Sequence, residues 1–204
     1  MSNSAVNVAV LGSTGSIGRS TLEVIAASQG SIRAVGLSAC KNIRLLEQQA
    51  QSVHPQWIVV SDRDAAAAHD FSGFPPETEI LVGAEGIAQI AAAPEVDMVV
   101  SAIVGSAGLA GTWAALAAGK PVALANKESL VMGGPLVTQL AKDNQTHILP
   151  VDSEHSAVFQ ALEAGRREEV KRIILTASGG PFRTYSREQM AKVTVDDALA
   201  HPTW

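Results

Sequence analysis

Short apolar runs alternate with longer amphipathic stretches through the first two-thirds of the chain. The apolar runs predict five strands at Val6–Leu11, Ile32–Leu37, Trp57–Val60, Asp97–Ile103 and Pro121–Ala125. Several are continuously apolar, which is typical of parallel strands covered on both faces. Helical spacing predicts intervening helices at Ser16–Ala27, Ile43–Val53, Ala84–Ala92 and Leu109–Ala118. Repeated β-α-β units predict an α/β fold with a doubly wound parallel sheet.

The remaining third of the chain indicates a second domain. Thr146–Val151 predicts one more strand, a helix follows near His155–Leu162, and Val170–Thr176 predicts another strand. We place the boundary near residue 150, so that residues 1–150 form one domain and 151–204 begin a second α/β domain. Roughly 50 residues are few for an independent core. We expect this tail either to pack on the first domain or to belong to a larger one.

Composition and charge narrow the class of protein. Hydrophobic residues make up 47% of the chain and aromatic residues only 4%, so the core must depend on aliphatic side chains. The net charge of −5 argues against a nucleic-acid partner. Cys40 is the single cysteine and fits a reducing compartment. The first residues lack the features of a signal peptide, and no apolar run reaches the about 20 residues that span a bilayer. We expect a cytoplasmic protein without a membrane partner.

A glycine-rich turn directly follows the first predicted strand. Gly12, Gly15 and Gly18 form a G-x-x-G-x-x-G pattern that opens the first predicted helix. Such glycines let the backbone approach a pyrophosphate, which the free amides and dipole of the helix stabilise. A turn that merely connects strand and helix is the alternative. Its position at the first β-α junction favours dinucleotide binding and a Rossmann-like fold.

The end of the second predicted strand favours NADP over NAD. An acidic residue commonly accepts hydrogen bonds from the ribose of NAD at this point. Leu37–Asn42 contains no acid, and Lys41 and Asn42 offer donors to a 2′-phosphate instead. Lys41 as an ordinary solvated lysine remains the alternative.

Two carboxylates follow the strand predicted at the domain boundary. Asp152 and Glu154 are two positions apart, which places them on one side of an extended segment. Adjacent carboxylates repel unless a cation or proton lies between them, and all-oxygen ligands suit Mg²⁺ or Mn²⁺. The alternative is a helix start with Asp152 as the N-cap and Glu154 in the first turn. The two roles are compatible.

Weaker signals surround these motifs. Asn126–Glu128 follows the fifth predicted strand and could orient substrate and cofactor, although polar residues before a helix are equally expected. Ser178–Gly180 could form an anion-binding nest or an ordinary turn. Among the histidines, His155 beside the carboxylates and His201 near the end of the sequence are the candidates for a functional role.

Five segments in register closely resemble 1-deoxy-D-xylulose 5-phosphate reductoisomerases. They are Leu11–Gly18, Ala125–Leu130, Pro150–His155, Ala177–Phe182 and His201–Trp204. The resemblance runs from about residue 6 to the last residue, and its specificity comes from the five segments together. It implies an NADPH- and metal-dependent enzyme that converts 1-deoxy-D-xylulose 5-phosphate to 2-C-methyl-D-erythritol 4-phosphate, an isoprenoid precursor of the non-mevalonate route.

The resemblance also implies roles for individual residues. Contacts with NADPH are expected from Thr14, Gly15, Ser16, Ile17, Cys40, Lys41, Asn42, Asn126 and Glu128. Substrate contacts are expected from Lys127, Ser153, Glu154, Ser178 and His201. Asp152 and Glu154 match two of the family's three metal ligands, and Trp204 matches the tryptophan of its flexible lid. The catalytic set is therefore Lys127, Asp152, Glu154, His201 and Trp204.

The sequence departs from the family pattern in two ways. Cys40 stands where the family commonly has glycine. The third acidic ligand, further phosphate-binding residues and a C-terminal domain would follow Trp204. We therefore expect residues 1–204 to bind NADPH but to catalyse poorly. The family is usually homodimeric, and the oligomeric state of this chain stays open.

Two other functions are compatible with a glycine turn. A phosphorylating semialdehyde dehydrogenase needs a nucleophilic cysteine near the nicotinamide. Cys40 lies on the adenosine side instead, which argues against that enzyme. A non-catalytic NADP-binding sensor domain is the remaining alternative.

Overall fold

The computed structural model describes residues 5–175 and 180–200. Within them the strands are β1 Val6–Leu11, β2 Ile32–Ala39, β3 Trp57–Val60, β4 Glu79–Val82, β5 Met98–Ser101, β6 Val122–Leu124 and β7 Ile148–Pro150. The α-helices are α1 Ser16–Ala27, α2 Ile43–Val53, α3 Arg63–Ala67, α4 Ala84–Ala92, α5 Gly108–Ala117, α6 Lys127–Asp143, α7 Ser153–Glu163, α8 Arg187–Met190 and α9 Val195–Leu199.

All seven strands belong to one parallel sheet in the order β4-β3-β2-β1-β5-β6-β7. The chain moves outward from β1 to β4 and then returns to place β5 on the other side of β1. This reversal confirms the predicted doubly wound α/β fold. In such sheets the ligand crevice lies at the carboxyl ends of the strands where the order reverses, here β1 and β5.

The core has two layers because helices cover both faces of the sheet. In β1, Ala9 and Leu11 pack with α4, α5 and α6, whereas Val8 and Val10 pack with α1, α2 and α3. Side chains alternate between the faces of a strand, so a strand that is covered twice must be apolar at successive positions. This explains the continuous apolar runs in the sequence.

The five strands predicted in the first two-thirds are present, and β4 is an additional one. β4 is short, lies at the sheet edge and begins at the exposed Glu79. An edge strand buries less apolar surface, so its pattern is weaker than that of a central strand. The long helix α6 contains Gly133 in a non-helical conformation and Pro135. Both residues interrupt the helical pattern of the sequence.

The chain divides into two compact units, one up to Phe159 and one from Gln160 onward. The described part of the second unit contains the end of α7, the short helices α8 and α9, and single 3-10 turns. The boundary near residue 150 stays a prediction about functional domains. Among the described residues, no helix is long and apolar enough to cross a bilayer.

The strand predicted at Val170–Thr176 is wrong for residues 170–175, and Thr176 lies outside the described residues. Ile173, Ile174 and Leu175 have the composition of a strand, yet all three are exposed. A strand is stabilised by a hydrogen-bonded neighbour and by packing on one face. The described residues pair no strand with this segment, so composition alone does not produce one.

Candidate active site

The glycine turn after β1 is closed by contacts that exclude larger residues. Gly12 has φ +83°, and a Cβ atom there would lie 2.9 Å from the carbonyl oxygen of Ala102. A Cβ atom on Gly18 would lie 2.3 Å from the carbonyl oxygen of Gly12. The first helix therefore packs directly against the turn, as the predicted phosphate-binding turn requires.

Buried polar side chains form hydrogen bonds with the backbone of this turn. The Ser13 hydroxyl donates to Oε1 of Gln49 at 2.7 Å, and Nε2 of Gln49 donates to the carbonyl oxygen of Ser13 at 2.9 Å. The Gly12 amide donates to the Ser38 hydroxyl at 2.9 Å. Ser13, Ser38 and Gln49 are all buried. This network was not predictable from the sequence, because isolated polar residues carry no sign that they are paired inside the core.

The first turn of α1 has no side-chain acceptor at its cap. Gly15 occupies the N-cap position and makes no side-chain hydrogen bond there. By contrast, Asn42 caps α2 and Asn126 caps α6 through side-chain oxygens. Gly15, Ser16 and Ile17 are exposed, and Thr14 is half-buried. Amides of an uncapped first turn provide donors and a positive dipole end for an anion such as a diphosphate.

Polar residues also lie at the end of β2, beside the glycine turn. Cys40, Lys41 and Asn42 are exposed there, and the Asn42 side-chain oxygen accepts from the Leu45 amide. The Lys41 ammonium is 75% exposed and lies 3.4 Å from Oδ2 of Asp62. Asp62 was not among the predicted site residues, since this acid follows β3 and reaches Lys41 only through the pairing of β2 with β3.

Asp62 is held as a carboxylate by two donors. Its Oδ1 accepts from the Ala65 amide at 2.8 Å, which caps α3. This backbone hydrogen bond, followed by the Lys41 ammonium, holds the pKa of Asp62 below its ordinary value. At neutral pH Lys41 therefore faces a carboxylate, and a bound 2′-phosphate would have to share the Lys41 ammonium with it.

Asn126 is a buried structural residue at the start of α6. Its side chain is 2% exposed. Nδ2 donates to the carbonyl oxygens of Ile103 and Gly105 at 2.5 and 2.8 Å. Its Oδ1 accepts from the amide of Ser129 at 2.9 Å and from the Ser129 hydroxyl. The structure thus assigns these side-chain hydrogen bonds to the protein. The direct cofactor contact that the resemblance implies for Asn126 stays a prediction.

Lys127 and Asp152 meet at the carboxyl ends of β6 and β7. Lys127 Nζ lies 2.6 Å from Oδ2 of Asp152, and Nδ1 of His155 lies 3.5 Å from Oδ1. The Asp152 side chain is only 14% exposed. Its hydrogen bond with Lys127 lowers the pKa of Asp152 and raises that of Lys127, each relative to its ordinary value. The pair is therefore ionised at neutral pH.

The second predicted carboxylate stands on the first turn of α7. Glu154 is exposed, and its Oε2 accepts from the Ser153 hydroxyl at 2.7 Å. Glu128, in the first turn of α6, is half-buried. Within residues 5–175 and 180–200, no group of three His, Cys, Asp or Glu side chains is arranged to hold a metal ion. The carboxylate oxygens of Asp152 and Glu154 suit a hard cation. These two side chains are not joined by a third such ligand among the described residues.

Ser178, His201 and Trp204 lie outside the described residues. The other predicted residues of the first unit follow strands β1, β2, β6 and β7, so the fold brings them to one edge of the sheet.

A doubly wound sheet with a glycine turn at its central crevice defines the class of Rossmann-like α/β proteins. The family model described as 1-deoxy-D-xylulose 5-phosphate reductoisomerase matches residues 8–134, and that of the reductoisomerase C-terminal domain matches residues 148–204. The chain belongs to the 1-deoxy-D-xylulose 5-phosphate reductoisomerase family.

Individual relatives agree with this assignment. The reductoisomerase of Geotalea uraniireducens is 51% identical over 199 residues, which cover 97% of this chain and 51% of the relative. The Zymomonas mobilis enzyme, solved in complex with NADPH, has a TM-score of 0.84 at 42% identity over 97% of this chain and 52% of the other. A reductoisomerase in complex with NADPH, fosmidomycin and magnesium has a TM-score of 0.77 at 40% identity, covering 98% of this chain and 52% of the other. The chain spans about half the length of these relatives.

Proposed function

We propose that this chain is the cofactor-binding part and the beginning of the catalytic part of a reductoisomerase. The reaction is the NADPH- and divalent-metal-dependent conversion of 1-deoxy-D-xylulose 5-phosphate to 2-C-methyl-D-erythritol 4-phosphate. The observation that carries the proposal is the uncapped N-terminus of α1 behind a glycine turn, with Lys41 at the neighbouring strand end. The proposed compartment is the cytoplasm, and the proposed functional boundary lies near residue 150.

NADPH would lie across the carboxyl edge of β2, β1 and β5. The amides of Ser16 and Ile17, with Thr14 and Gly15 beside them, would bind its diphosphate, and Lys41 would neutralise the 2′-phosphate. The exposed Cys40 and Asn42 would border that phosphate. When bound, NADPH supplies the hydride for the reduction step. The protein's own contribution is to hold and orient it.

Asp152 and Glu154 would provide carboxylate oxygens for Mg²⁺ or Mn²⁺. A bound divalent ion acts as a Lewis acid on substrate oxygens. Lys127 holds the Asp152 carboxylate in place and keeps it deprotonated, so that it carries the negative charge that a cation ligand needs. Lys127, Ser153 and Glu154 would also contact a small phosphorylated sugar, together with Ser178 and His201.

Binding of NADPH is the part of this function that residues 1–204 are proposed to perform by themselves, because the glycine turn, the first turn of α1 and Lys41 all lie in the first unit. The family relatives are named as reductoisomerases, so a non-catalytic NADP sensor has no specific support.

The test is a titration of the folded 204-residue chain with NADPH, with NADH as the matched control. NADPH should associate measurably, and NADH should associate at least about tenfold more weakly, because it lacks the charge that Lys41 would neutralise. Fluorescence of the reduced cofactor reports both affinities. Absence of NADPH binding by a folded sample would reject the proposal.

A further inference from the structure

The loop between β5 and α5 forms the second wall of the central crevice. The Ala102 amide donates to the carbonyl oxygen of Leu11 at 2.9 Å, and Gly12 packs against the Ala102 backbone. This loop is thus joined to the glycine turn. Two residues further on, the apolar side chain of Val104 is 84% exposed. A valine on a loop that borders a ligand crevice is expected to be exposed in the free protein when the bound ligand covers it.

Asn126 fixes the loop on both sides of Val104. The amide group of its side chain donates to the carbonyl oxygens of Ile103 and Gly105, the residues before and after the valine. A Cβ atom on Gly108 would lie 2.9 Å from the Asn126 amide carbon, so the packing around this side chain is close. Since Asn126 is buried, the loop is held from inside the protein and Val104 remains outside.

The strand order indicates which half of a dinucleotide Val104 would meet. Lys41, proposed for the 2′-phosphate, lies at the end of β2, and the α1 amides follow β1. A dinucleotide that extends from β2 across β1 reaches β5 and β6 with its other half. That half carries the nicotinamide. Val104, at the end of β5, and Lys127, after β6, stand on this side.

We propose that Asn126 is a positioning residue that fixes the β5–α5 loop so that Val104 forms an apolar wall against the nicotinamide half of NADPH. The inference rests on the proposed function and deepens it. Asn126 acts through the loop, and Val104 makes the contact with the cofactor. Contact of the Val104 side chain with the nicotinamide ring removes apolar surface from water. Because the loop is already fixed, binding does not carry the entropic cost of ordering it.

Two variants separate the fixing of the loop from the capping of α6. Asn126→Asp retains a side-chain oxygen for the Ser129 amide, and aspartate is as good an N-cap as asparagine. It removes the two donors and places a carboxylate against the carbonyl oxygens of Ile103 and Gly105. Val104→Ser removes the apolar surface from an exposed position and leaves the loop fixed. Val195→Ser, at an exposed valine on α9, is the matched control.

Dissociation constants of NADPH and of 2′,5′-ADP, which contains only the adenosine half, are measured by calorimetry on each folded 204-residue variant. NADPH should bind about tenfold more weakly to Asn126→Asp and about fivefold more weakly to Val104→Ser. Binding of 2′,5′-ADP should stay within about twofold of the unsubstituted chain, and Val195→Ser should change neither constant.

The outcomes distinguish the inference from a merely structural role. Equal weakening of both ligands by Asn126→Asp, or unchanged NADPH binding by Val104→Ser, would overturn it. Failure of the unsubstituted chain to bind either ligand would instead reject the proposed function, and the inference with it. If Asn126→Asp does not fold, Val104→Ser decides the question, because an exposed loop residue contributes little to stability.

Discussion

The ammonium of Lys127 lies 2.6 Å from a carboxylate oxygen of Asp152, although the two residues are 25 positions apart in the chain. Lys127 begins α6 directly after β6, and Asp152 follows β7, the adjacent parallel strand. The contact therefore exists because the carboxyl ends of neighbouring parallel strands meet at one edge. Two side chains from separate polar segments of the sequence thus form one ionised pair.

This pair predicts a pH-dependent contribution to stability. The pKa of Asp152 lies below its ordinary value of 3.8, first because Lys127 donates a hydrogen bond to it. Folding therefore favours the charged carboxylate. Its stabilisation is fully present above the pKa of the unfolded state and is lost as the pH falls through the lowered folded pKa. Asp152→Asn should be less stable than the unsubstituted chain at neutral pH, and this difference should shrink in the acid range below 3.8.

Denaturant unfolding at a series of pH values measures that difference. Asp143→Asn, at the exposed end of α6, is the control and should show little difference at any pH. A deficit of Asp152→Asn that stays constant through the acid range would show that the ion pair is not its cause.

Gly18 is predicted to be irreplaceable in the glycine turn. A methyl group at this position would meet the backbone of Gly12 and Ser13 at 2.3 and 2.5 Å, and backbone cannot rotate away as a side chain can. Gly18→Ala should displace α1 from the turn, lower the free energy of unfolding by about 1–3 kcal/mol and weaken NADPH binding by at least about tenfold. Calorimetry and denaturant unfolding report the two effects.

Gly165→Ala is the matched control for this substitution. Its methyl group would lie in ordinary contact with Oε2 of the exposed Glu169, at 3.5 Å, so it should leave binding unchanged. Replacing a glycine outside the left-handed region by alanine restricts the unfolded chain, so the control should be at least as stable as the unsubstituted chain. Equal behaviour of the two variants would argue against a packing role for Gly18.

Lys41 is predicted to determine the preference for NADPH over NADH. Lys41→Gln should weaken NADPH binding by about tenfold and change NADH binding little, because only NADPH carries the 2′-phosphate. Titrations with both cofactors measure the ratio of affinities, and Lys142→Gln on the exposed surface of α6 is the control. An equal loss of affinity for both cofactors would show that Lys41 does not recognise the 2′-phosphate.

Asp62 is predicted to weaken NADPH binding, because its carboxylate competes with the 2′-phosphate for the Lys41 ammonium. Asp62→Asn retains an oxygen to cap α3 but removes the negative charge beside the Lys41 ammonium. A 2′-phosphate would then no longer compete with a carboxylate, so NADPH should bind about two- to fivefold more tightly. The gain should diminish at high salt, where exposed charges are screened. Weaker binding would instead indicate that the carboxylate positions Lys41 for the phosphate.

Gln49 is predicted to support the glycine turn from a distance. Gln49→Ala leaves the buried Ser13 carbonyl without its donor, which should cost about 1–3 kcal/mol of unfolding free energy. Gln48→Ala, at the adjacent exposed position of the same helix, should have little effect. Denaturant unfolding compares the two. A similar loss in both variants would show that the buried network is not its cause.

Much of the fold followed from local pattern. The central strands are covered on both faces, so their burial appears directly as apolar runs in the sequence. The glycine turn was also predictable, because Gly12 and Gly18 serve steric needs that only glycine meets. The edge strand β4 and the kinked helix α6 were less visible, since weaker burial and Gly133 interrupt the pattern.

Local sequence was enough to predict the alternation of strands and helices, the glycine turn and the carboxylates that follow a strand. Each depends on periodicity or backbone sterics within a few consecutive residues. Only the assembled fold placed Asp62 beside Lys41, buried Asn126 against the loop after β5, and paired no described strand with residues 170–175. Those outcomes depend on strand order and on neighbours distant in the chain, and contacts of that kind arise only when the sheet is assembled.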